Sequence, residues 1–60
     1  MRKFNVTFEV FMSTGKKQNK VIAVEAGNKK LAALRGMMEI NKLDGYSQLY
    51  KNVVKVEEVA

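Results

Sequence analysis

Residues 4–12 read FNVTFEVFM. Phe4, Val6, Phe8, Val10 and Met12 alternate with Asn5, Thr7, Glu9 and Phe11. A period of two puts the first set on one face of a strand and the second on the other. This is the longest and most apolar strand pattern in the chain, so it belongs at the centre of a sheet. Residues 13–19, STGKKQN, hold Ser, Gly and Asn among polar neighbours and read as a hairpin loop. Residues 20–26, KVIAVEA, are rich in β-branched side chains and make a second strand, so residues 3–26 form one β-hairpin.

From Asn28 the period changes. On a helical wheel Leu31, Leu34, Met37, Met38 and Ile40 fall within one half, joined by Ala33, while Arg35, Glu39 and Lys42 occupy the other. Asn28 is a candidate N-cap, and LDG at 43–45 supplies a stop, with Gly45 as the left-handed cap or the residue just beyond it. YSQLYKN is a connection, and NVVKVEEV at 52–59 is a third strand. The order is β-β-α-β in one α+β domain spanning residues 1–60. A central first strand favours the spatial order 2-1-3, fully antiparallel with the helix on one face; 1-2-3 is the alternative.

The chain has 60 residues and no Cys or His. A domain this small buries only about 60% of its unfolded surface and usually needs a disulfide, a metal or a second subunit. Without Cys or His, oligomerisation is the remaining support, and a homodimer is expected. No apolar run is long enough for a membrane span, and the first fifteen residues have no continuous hydrophobic stretch of the signal-peptide kind. The expected location is the cytoplasm.

The formal net charge is +5 and is uneven: residues 1–30 carry seven basic and two acidic groups, residues 31–60 four of each. The expected topology gathers Lys16, Lys17, Lys20, Lys42 and Lys51 at one end of the sheet, with Tyr46 and Tyr50 beside them. A second basic cluster, Arg2, Lys3, Lys29 and Lys30, gathers at the other end, where Glu57 and Glu58 can neutralise part of it. Phe11, Tyr46 and Tyr50 are candidate stacking groups, and lysines beside aromatics suit a single-stranded nucleic acid; the two tyrosines also suit a place at the core edge. Only two Arg are present, so sequence-tolerant phosphate contact is the more natural form.

A protein partner is the other expectation. Strands two and three carry apolar residues on both faces, with Val53 and Val59 opposite Val54 and Val56, and Phe11 points away from the strand-one core set. Such a patch marks an interface or is the ordinary surplus of a small sheet. Ala32 and Gly36 lie four apart on the helix and form a small strip. That strip admits another backbone or lets the helix sit close to its own sheet. Phe11, Ala32, Gly36 and Val53 are thus the interface candidates.

Catalysis has little to work with. No nucleophile–base pair is recognisable, the carboxylates are scattered, and no cofactor, metal or small-molecule substrate is expected. STGKK matches a fragment of a phosphate loop but lacks its spaced glycines and following helix.

FNVTFEVF, the short loop, VIAVEAGNKKLAALRGMMEI and the terminal VVKVEEV resemble the small β-β-α-β proteins of bacteriophages and prophages. The VEA-x-x-K-K-x-A entry to the helix and the V-x-V-E-E-V ending carry the likeness over nearly the whole chain. The resemblance implies a binding protein of nucleic acid or of a host protein, in the host cytoplasm. It names no site residue. A purely structural homo-oligomer is the third expectation.

Overall fold

The computed structural model describes residues 1–59. Three ten-residue strands and one twelve-residue helix follow in the order β1 (Arg2–Phe11), β2 (Lys17–Ala26), α1 (Lys29–Ile40) and β3 (Tyr50–Val59). The sheet order is β2-β1-β3, antiparallel throughout, so the chain has the expected α+β, β-β-α-β fold.

β2 begins at Lys17, three residues before the expected start at Lys20. Lys17, Gln18 and Asn19 pair with Phe11, Val10 and Glu9, and these backbone bonds outweigh their weak strand preference. The remaining loop is short. Gly15 N–H donates to the Met12 carbonyl at 2.9 Å, and Met12 N–H to the Lys16 carbonyl at 2.8 Å. Gly15 has φ +89°, the left-handed residue that a three-residue hairpin loop requires.

Phe4, Val6, Phe8 and Val10 are fully buried beneath α1 with Ala26, Ala32 and Ile40. The helix does not bury the face its large side chains suggest. Leu31, Leu34 and Met38 are 45%, 59% and 63% exposed, while Ala32 and Gly36 turn inward. The aromatic and β-branched side chains of β1 already fill the space above the sheet, so only small residues let the helix approach. A Cβ on Gly36 would stand 3.0 Å from the Cβ of Val6. The Ala32–Gly36 strip therefore packs on the chain's own central strand, which removes both residues from the expected interface.

β3 contains a register shift opposite Thr7 and Phe8. Thr7 pairs with Lys55 and Phe8 with Val53, leaving Val54 as the extra residue of a bulge. The bulge reverses the expected alternation. Val53 now lies on the helix side with Val56, not with Val59 on the opposite face.

α1 ends at Ile40 with Asn41 as its C-cap in right-handed geometry, so Gly45 is not the helix cap. Gly45, at φ +80°, serves the turn closed by Tyr46 N–H to the Leu43 carbonyl at 3.2 Å. Among the described residues no helix is long and apolar enough to cross a membrane.

Candidate nucleic-acid interface

The face of the sheet away from α1 carries no covering element among the described residues. Its side chains form rows across β2, β1 and β3, because antiparallel partners share a face. From the hairpin end the rows read Lys17–Phe11–Tyr50, Asn19–Glu9–Asn52, Val21–Thr7–Lys55, Ala23–Asn5–Glu57 and Glu25–Lys3–Val59. The first row is the chemically distinctive one. The Phe11 and Tyr50 rings have centroids 5.3 Å apart and planes tilted by 50°. Tyr50 is 66% exposed, and Lys17 flanks Phe11 on the other side. The Lys17 ammonium reaches Glu9 only at 3.9 Å, on the surface, so its charge faces solvent.

The expected nucleic-acid residues divide between the two faces. Lys17 and Tyr50 lie on the open face, joined there by Phe11. Lys16 sits in the hairpin loop beside them. Lys20 and Lys51 pair with Phe8 and Val10, so both belong to the helix side. Lys51 is committed to structure: its Nζ donates to the carbonyls of Tyr46 at 2.6 Å and Leu49 at 2.8 Å. Tyr46 packs against the core, and its hydroxyl accepts from Gln18 Nε2 at 3.3 Å. Lys42 lies just beyond α1 and pairs with Glu39 at 3.5 Å. The sheet thus separates residues that the sequence pattern groups into one patch.

The second basic cluster is partly neutralised. Arg2 grips Glu58 through two bonds, Nε to Oε2 at 2.8 Å and Nη2 to Oε1 at 2.6 Å. A third donation, from Nη1, goes to the Gly27 carbonyl at 3.2 Å. The hydrogen bonds from Arg2 hold the Glu58 carboxyl below its usual range, against a desolvation that works the other way; the charges of Arg2 and Lys29 add to the lowering. Lys3 stands on the open face, and Lys29 and Lys30 open the helix. Asn28 caps that helix by accepting from Leu31 N–H at 2.9 Å.

Two features escape the sequence reading. Asn19 and Asn52 flank Glu9 in the row next to the aromatic pair, visible only once the bulge sets the register of β3. Leu31, Leu34 and Met38 form an outward stripe on α1; their i, i+3, i+7 spacing is readable, but the same spacing reads equally well as a core face.

No protein-family model, no curated protein and no solved structure matches this chain.

Proposed function

We propose that this chain is a non-catalytic binding protein that holds single-stranded nucleic acid, with little sequence preference, on the open face of its sheet. The observation that carries the reading is the Lys17–Phe11–Tyr50 row: two adjoining aromatic rings and a lysine on an uncovered surface. Exposed rings give bases a stacking surface, worth about 1–3 kcal/mol per base, and every base has a face to stack. Lys16 and Lys17 supply phosphate contact at the strand end, and Asn19 and Asn52 supply amide donors in the next row. The net charge of +5 draws a polyanion toward the molecule.

The test is fluorescence anisotropy with a labelled oligonucleotide of about 12 nucleotides, within the range of known single-strand sites. Binding is expected to fall as salt rises, and Tyr50→Ala to weaken it about tenfold, the value of one lost stack. Lys16→Glu with Lys17→Glu weakens it further and flattens the salt dependence. Absence of binding at about 50 mM salt, where phosphate contacts are strongest, contradicts the proposal.

A second reading rests on a different surface. The outward Leu31–Leu34–Met38 stripe suits docking on a protein, in keeping with the resemblance to phage-type proteins that act on a host partner in its cytoplasm. A partner captured after nuclease treatment, and lost in Leu34→Lys with Met38→Lys, favours this reading.

A further inference from the structure

The two edges of the sheet differ. β3 is blunted by its bulge at Val54 and by the charges of Lys55, Glu57 and Glu58, which discourage pairing with another strand. β2 keeps an unbroken register with β1 over all ten of its residues, from Lys17 to Ala26. The Met12–Lys16 bond at the loop fixes the alternation of the ladder. Even-numbered residues of β2 therefore bond to β1, and odd-numbered ones turn their N–H and C=O groups to the outer edge. α1 does not close that edge: a groove of about 420 Å³ opens between Ala23–Glu25 and the helix residues Arg35, Met38 and Glu39.

We infer that the free edge of β2 pairs antiparallel with the same edge of a second copy, about a two-fold axis at Val21, joining two sheets into one of six strands. Charge complementarity selects the partner and the register. Pairing about Val21 sets Lys17 opposite Glu25 of the second copy, twice by symmetry. These are the two charged residues that β2 presents on the open face. Glu25 makes no ion pair within the chain among the described residues, and Lys17 makes only the long one to Glu9. The same register brings Asn19 opposite Ala23 and puts the two exposed Val21 side chains together at the centre. On the helix side Lys20 meets Ile22 and Gln18 meets Val24, so no like charges are opposed. Shifting the axis to Ile22 or Lys20 keeps the faces matched but loses both ion pairs. This pairing holds whatever the open face binds.

The test uses the absence of native cysteine. Hydrogen-bonded antiparallel partners have Cα atoms about 5.5 Å apart, within the range a disulfide spans. Val21→Cys is expected to oxidise to a covalent dimer at micromolar concentration, and Val54→Cys, on the blunted edge, is expected to stay monomeric. In sedimentation, Glu25→Lys raises the dimer dissociation constant about tenfold or more, because two attractive pairs become repulsive. Adding Lys17→Glu to that variant restores it. A wild-type chain that stays monomeric at high micromolar concentration overturns the inference. So does equal cross-linking at both positions, or a charge swap that fails to restore the dimer.

Discussion

Replacing Gly36 by Ala sets two effects of opposite sign against each other. In an exposed helix the change stabilises by about 1 kcal/mol, since alanine loses less backbone entropy. Here the new methyl meets Val6 Cβ at 3.0 Å and both of its Cγ atoms at 3.1 Å. Ordinary carbon contacts lie near 3.5–4.0 Å, so three atoms are crowded at once. Val6 cannot turn away: its branched Cβ presents a methyl or the Cβ itself in every rotamer, and it is fully buried on the central strand. The helix must therefore rise by a few tenths of an ångström, loosening Ala32 and Ile40 beside it. Overpacking of this kind costs about 1–3 kcal/mol, so the net expectation is a loss of about 1 kcal/mol. For a domain of this size that lowers Tm by about 4–8 °C. Thermal and urea unfolding followed by circular dichroism measure it. Val6→Ala in the same background removes the two Cγ contacts but keeps the Cβ contact at 3.0 Å, so the double-mutant cycle is expected to relieve only part of the crowding, with about 0.5 kcal/mol or more of favourable coupling. A Gly36→Ala chain as stable as the wild type, or simple additivity with Val6→Ala, refutes the close-approach argument.

Other perturbations test separate parts of the structure. Asn28→Ala removes the acceptor for Leu31 N–H and is expected to cost about 1 kcal/mol in urea unfolding, whereas Asn28→Asp keeps the cap. Lys51→Met leaves the Tyr46 and Leu49 carbonyls without their donor and is expected to cost about 1–2 kcal/mol, with oligonucleotide affinity changing little beyond the loss of one long-range charge. Glu58 has a folded-state pKa below its unfolded one, so the stability it contributes is present above the usual value of 4.5 and is lost as pH falls through the lowered folded value. Thermal unfolding from pH 6 down to pH 2 should show that decline, and Arg2→Met, which removes the cause of the lowering, should flatten it.

The period-two pattern from Phe4 to Met12 favours the observed order over 1-2-3, because a strand with one wholly apolar face is best covered with a neighbour on each side. The ends of the elements were less legible. Lys17, Gln18 and Asn19 look like loop by composition, and only their pairing partners make them strand. The helix face is not legible for a physical reason: hydrophobicity ranks Leu34 and Met38 above Gly36, but the space left above Phe4, Val6 and Phe8 admits only the smaller residues. Val53 changed faces because a single bulge inverts every later position, and nothing local to Val53–Val54 announces it. The sequence groups the basic residues by sheet end and says nothing of their faces, which the strand register sets. Lys51 and Tyr46 serve the fold, while Lys17, Phe11 and Tyr50 converge on the open side.

The surface that a single-stranded nucleic acid contacts decides between the open face and the helix. Backbone amide shifts recorded while a short oligothymidine is titrated into the labelled protein answer that. The expected result is a contiguous set of changes at Phe11, Lys16, Lys17, Asn19, Tyr50 and Asn52, with the exposed helix stripe at Leu31, Leu34 and Met38 unmoved. Changes confined to α1, or none at any position at low salt, would contradict the open-face reading.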